Sequence, residues 1–168
     1  KCLPNKFLTH HPFKTLLNPI KNIINIPIYQ LFMSKKYFTL ESAQKHLPTI
    51  KKSLLKMKNL KKAIDSILSV RIDPQEVGFG EFIEINTKLN KDYHKLSYEF
   101  YKELERLGKI GCILKDLELG LVDFYCKFEG RDILLCWKLG EEKIKAWHDV
   151  DSGFSGRKPI IDLEKYQI

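Results

Sequence analysis

The chain has 168 residues, enough for one ordinary domain with a single core and too few for two comparable ones. Hydrophobic residues make up 43% and charged residues 30%, the balance of a soluble globular protein, and no apolar run approaches the ~20 residues that a membrane-spanning helix needs. The net charge of +8 suggests nucleic acid, but residues 1–36 hold six lysines and no acid, and from Tyr37 onward 23 basic residues face 21 acidic ones, so the body of the chain is close to neutral.

The basic leader, residues 1–32, contains four of the seven prolines and no sustained hydrophobic period. Met33 opens "MSKKYFTL", which reads like a natural start, so the leader is expected to be flexible or extraneous to a single domain over residues 33–168. Thr39 then stands where a helix N-cap belongs, with Glu41 in the first turn. Leu40, Ala43, Leu47, Ile50, Leu54, Met57, Leu60, Ile64 and Ile67 recur at spacings of three and four, the stripe of an amphipathic helix that Pro48 should kink or divide. "VRIDPQEVGFG" breaks the period. A second stripe follows in Phe82, Ile85, Leu89, Tyr93, Leu96, Phe100, Leu104 and Leu107, with Gly108 as the expected C-terminal cap. Two helices with one apolar face each pack most simply as an antiparallel hairpin, coiled-coil-like, over residues 39–108.

Beyond Gly108 the chain turns to aromatic and β-branched residues. "LVDFYCKF", "RDILLCWKL" and "KIKAWHD", separated by "EG" and "GEE", predict a three-stranded antiparallel meander within residues 110–160. A two-residue turn at Glu129 and Gly130 sets Val122 opposite Trp137, Phe124 opposite Leu135, Cys126 opposite Ile133 and Lys127 opposite Asp132. Cys126 and Cys136 then lie on opposite faces and form no disulfide. Continuing the alternation sends Ile144, Ala146 and His148 to the core side and Lys145, Trp147 and Asp149 outward.

The densest chemistry lies in "WHDVDSGFSGR", Trp147 to Arg157. An EF-hand counted from Asp149 fails, because its twelfth position is Ile160 and no helix follows. A G-x-x-G clamp in "GFSG" would follow a strand where it should join helices. The four cysteines, Cys2, Cys112, Cys126 and Cys136, make no C-x-x-C pair, so no metal is expected, and no cofactor motif stands out. Gly153 and Gly156 allow backbone N–H groups to converge, and Arg157 with His148 adds positive charge, so His148, Gly153, Gly156 and Arg157 are the candidate anion site. The structural alternative pairs Arg157 with Asp149 or Asp151. Asp123, Tyr125 and Trp147 are a candidate partner surface on the outward sheet face. An enzyme would use His148 as acid or base, oriented by Asp149, Asp151 or Asp123, with Ser152 or Ser155 as nucleophile. Lys51, Lys58 and Lys62, close together on a helical wheel, are the nucleic-acid candidate.

The stretches "YFTLESAQKHLP", "KDLELGLVDF" and "LCWKLGEEKIKAWHDVDSGFSGR" give the region from Tyr37 to about Pro159 a resemblance to domain-of-unknown-function family 2203 of bacteria and archaea. That resemblance implies a small cytoplasmic protein beginning near Met33. It picks out Asp123, Trp137, Trp147, His148, Gly153, Phe154, Gly156 and Arg157 and supplies no reaction. The expectation is therefore an α+β domain acting as a non-enzymatic binding or adaptor module. Its partner would be an anionic small molecule, another protein or a second copy of itself. Catalysis at His148 is the alternative, and nucleic acid the third reading.

Overall fold

The computed structural model describes residues 35–161, and the leader, Cys2 and the last seven residues lie outside that range. Helix α1 spans Leu40–Ser69, a single turn α2 spans Pro74–Val77, and helix α3 spans Phe79–Ile110. Thr39 caps α1 in a box with Ser42, each side chain reaching the other's backbone N–H. The α1 stripe buries Ala43, Leu47, Ile50, Leu54, Met57 and Ile64 against Tyr93, Phe100 and Leu107 of α3. Each fully buried aliphatic side chain contributes about 1.5–3 kcal/mol, so four of them outweigh the defect at Pro48. That proline lies on the exposed side of one unbroken helix and does not divide it. Gly108 is also not the cap: it is buried inside α3, and Gly111 closes the helix with φ 96°.

The sheet has five antiparallel strands where three were expected, in the order β1 (Ile113–Asp116), β2 (Leu121–Phe128), β3 (Arg131–Lys138), β4 (Ala146–Asp149) and β5 (Lys158–Pro159). The two unexpected strands are edge strands with weak patterns. β1 carries a register shift after Leu114, and β5 is two residues long with a proline that cannot donate. Between β2 and β3 the expected register holds pair for pair, from Val122 opposite Trp137 to Lys127 opposite Asp132. Its cause is the tight turn, where Glu129 and Gly130 both take positive φ as a right-twisted hairpin demands.

The phase of β4 is the reverse of the expectation. Trp147 lies opposite Leu135, on the Phe124 face, and His148 lies opposite Leu134, on the face of Asp123 and Cys136. The connection from Leu139 to Lys145 decides this, and Glu141 holds it. Its carboxylate accepts from Lys138 N at 2.9 Å, and its carbonyl accepts from Trp137 Nε1 at 3.0 Å. Both faces of the centre are covered, because Ile133 to Trp137 are buried in an unbroken run. Phe38 closes one face, edge-on to Phe124 at 5.3 Å. Among the described residues, no helix is long and apolar enough to cross a membrane.

Candidate functional site

Three adjacent strands bring Asp123, Cys136 and His148 together. Asp123 is directly opposite Cys136, and His148 follows two residues after Ala146, the β4 partner of Cys136, so all three project from one sheet face. Each is 1–2% exposed. His148 Nε2 lies 3.3 Å from Asp123 Oδ2, and His148 Nδ1 donates to the Asp149 carbonyl at 2.8 Å. The Asp123 hydrogen bond raises the His148 pKa, burial opposes it, and the net direction is up. Burial, helped by the adjacent Asp123 carboxylate, pushes the Cys136 thiol up to about 12. Asp123 Oδ1 has no N–H or O–H partner among the described residues.

The corner after β4 is built from backbone. Ser152 donates to Asp149 O through both N–H and Oγ, and a 3-10 turn runs through Phe154–Gly156. Gly156 permits the close approach, because a Cβ there would sit 2.5 Å from Ser152 Oγ. Arg157 pairs with neither of its sequence candidates. Its guanidinium meets both oxygens of Glu141, at 2.9 and 3.0 Å, and stacks over Phe154 at 5.1 Å. Lys158 takes Asp149 at 2.7 Å and holds that carboxylate below its usual pKa.

The proposed anion residues are therefore not gathered around one cavity: His148 points inward at Asp123, while Arg157 carries its own carboxylate at the rim. The expected partner trio separates as well. Asp123 and Trp147 are buried, on opposite faces, with Trp147 Nε1 donating to Pro159 O at 3.2 Å. Tyr125 is half-buried, flanked by Tyr37 and with Lys35 over its ring at 4.8 Å. Of the two candidate nucleophiles, Ser152 turns its Oγ back to the Asp149 carbonyl, and Ser155 lies exposed in the 3-10 turn. Of the stripe lysines, Lys58 donates to the Glu118 carbonyl at 2.8 Å. Beside it an open groove of about 550 Å³ mixes Lys61 and Lys62 with Asp65 and Glu118.

Sequence reasoning sets a metal aside because no cysteine has a close ligand neighbour along the chain. In space Asp123, Cys136 and His148 each offer a ligand atom, all within 4.8 Å of one another. The signal is present in the β2–β3 register, which sets Cys136 opposite Asp123, and is lost in the inverted phase of β4. Among curated proteins and among solved structures, none is significantly similar to the chain. A family model does match residues 36–160, from the segment before Phe38 through β5, and the chain belongs to that family, described as Uncharacterized conserved protein (DUF2203).

Proposed function

We propose that the chain is a non-enzymatic binding module whose sheet is a rigid head and whose helical hairpin docks an amphipathic helix of a protein partner. The observation that carries this reading is the hairpin's uncovered end. Burial stops at Ile64 in α1 and begins again only at Tyr93 in α3, while the apolar stripe continues between them. Phe79 is 77% exposed, with Val70 and Ile83 exposed beside it in sequence order and Ile67, Phe82, Ile85 and Leu89 only partly covered. A stripe at helical spacing that the other described residues leave uncovered suits another helix laid along it. Cys126 and Cys136, held as thiols, fit a reducing, cytoplasmic setting.

The test places a photo-crosslinking amino acid at position 79 of the full chain in cells, with position 88, an exposed lysine, as control. A discrete adduct at 79 that is lost on Ile83→Ser supports the reading. Labelling no stronger at 79 than at 88 overturns it. An adduct of twice the chain mass identifies a second copy as the partner.

The corner offers a second surface, because Phe154 is exposed and braced by Arg157. An anion there would have to displace Glu141. A thermal shift with a phosphate-bearing ligand that Arg157→Ala abolishes in a folded chain supports that version, and no shift across a broad panel removes it. Catalysis at His148 fits less well, since the ring is closed off between Asp123 and the Asp149 carbonyl.

A further inference from the structure

We infer that Asp123, Cys136 and His148 are the ligands of a closed structural site for one soft divalent cation, with Zn²⁺ the best fit. The donor set is one sulfur, one imidazole nitrogen and one carboxylate, the mixture that zinc accepts in four-coordinate sites. The strands already hold these donors in place, since Asp123 and Cys136 are cross-strand partners and His148 projects from the same face.

Two details point to a cation. His148 Nδ1 donates to the Asp149 carbonyl at 2.8 Å, which orients the ring and aims Nε2 at the cluster, the outer-shell hydrogen bond that zinc-bound histidines use. The Nε2 to Asp123 Oδ2 separation is 3.3 Å. Two donors bound to zinc at about 2.0–2.1 Å and at the tetrahedral angle stand roughly 3.3 Å apart, so this pair is already at ligand spacing.

The second detail is Asp123 Oδ1, an oxygen of a residue 1% exposed that has no N–H or O–H partner among the described residues, the neighbouring Cys136 thiol being only a weak donor. Leaving a buried carboxylate oxygen unpaired is costly. A bidentate Asp123 would satisfy it and complete four-coordination with Cys136 Sγ and His148 Nε2.

Zn²⁺ forms bonds to Cys136 sulfur, His148 Nε2 and Asp123 oxygen, and the Cys136 S–H proton leaves to solvent, as does the Nε2–H proton of a doubly protonated ring. Thiolate and carboxylate then set two negative charges against the two positive charges of the metal, so the loaded dry interior is neutral. Positive groups face the cluster from Lys115 and Arg157, the latter already paired with Glu141. With ligands this buried, no substrate reaches the metal, so the site ties β2, β3 and β4 together.

The full chain is refolded with Zn²⁺ or Co²⁺, dialysed and assayed for bound metal. The expected result is one equivalent per chain, a thiolate-to-cobalt charge-transfer band, and an unfolding midpoint raised by on the order of 5–10 °C at saturating Zn²⁺. The band persists in Cys126→Ser and is lost in Cys136→Ser and Asp123→Asn. X-ray absorption of the zinc-loaded wild-type chain, which depends on no variant's folding, shows one sulfur among nitrogen and oxygen ligands. Absence of stoichiometric metal, a zinc shell without sulfur, or a band that survives Cys136→Ser overturns the assignment.

Discussion

Replacing Glu103 with glutamine tests how the hairpin tolerates a charge in its interior. Glu103 is 3% exposed on α3, accepts from Ser53 Oγ at 2.9 Å across the helix pair, and meets Lys56 Nζ at 2.9 Å. Burial alone would raise its pKa, but the hydrogen bonds from Lys56 and Ser53 outweigh burial and the net direction is down. Glutamine keeps the shape and an oxygen for Ser53, so the change removes charge without opening a cavity. A hydrogen bond to a charged group contributes roughly 1.5–3 kcal/mol, and the solvated Lys56 end puts the expected loss at about 1–2 kcal/mol near neutral pH. With a urea slope of about 2 kcal/mol per molar, the midpoint followed by helical circular dichroism should fall by about 0.5–1 M. Because the folded pKa lies below the unfolded value of about 4.3, the advantage of glutamate is complete above that value. It shrinks as pH falls through the folded pKa and is gone below it. In a Lys56→Met background the same substitution should cost less, Lys56 being the principal counter-charge. A gap between wild type and Glu103→Gln that stays constant from pH 7 to pH 3, or no gap at neutral pH, would refute the reasoning.

Gly120→Ala should destabilise by about 1–3 kcal/mol, because φ is +66° there and a Cβ would collide with Leu139 Cβ, whose N–H bonds Gly120 O; an unchanged urea midpoint would contradict this. Asp132, held by hydrogen bonds from Lys127 and also from Lys35 and Tyr37, is lowered to about 2, so its carboxyl carbon signal in NMR should still report the ionised form at pH 3. Burial pushes the Cys112 thiol up to about 12, so iodoacetamide at pH 8 should modify the half-buried Cys126 well before Cys112 in the folded chain; mass spectrometry that finds Cys112 modified first would count against its burial.

Much of this fold is local and therefore legible in the residues. The α1 stripe from Ala43 to Ile64, the Thr39 cap and the β2–β3 register at the Glu129–Gly130 turn all follow from periods of 3.6 and 2 and from turn chemistry, which act over a few residues. Gly108 misleads, and Pro48 leaves α1 undivided, because tertiary burial outweighs a local preference of a few kcal/mol or less. The edge strands β1 and β5 are illegible because a short strand defined by its partner carries no pattern of its own.

The candidate site divides the same way. Sequence alone selected Asp123, His148 and Arg157 and set Cys136 opposite Asp123. It could not give the phase of β4, because a one-residue change in the Leu139–Lys145 connection exchanges the faces of every residue that follows. The tertiary structure decided that Trp147 joins Phe124 and His148 joins Asp123. Glu141 binds Lys138 and Trp137 within its own turn, but its pairing with Arg157 joins residues 16 apart in the chain, and no local period encodes it.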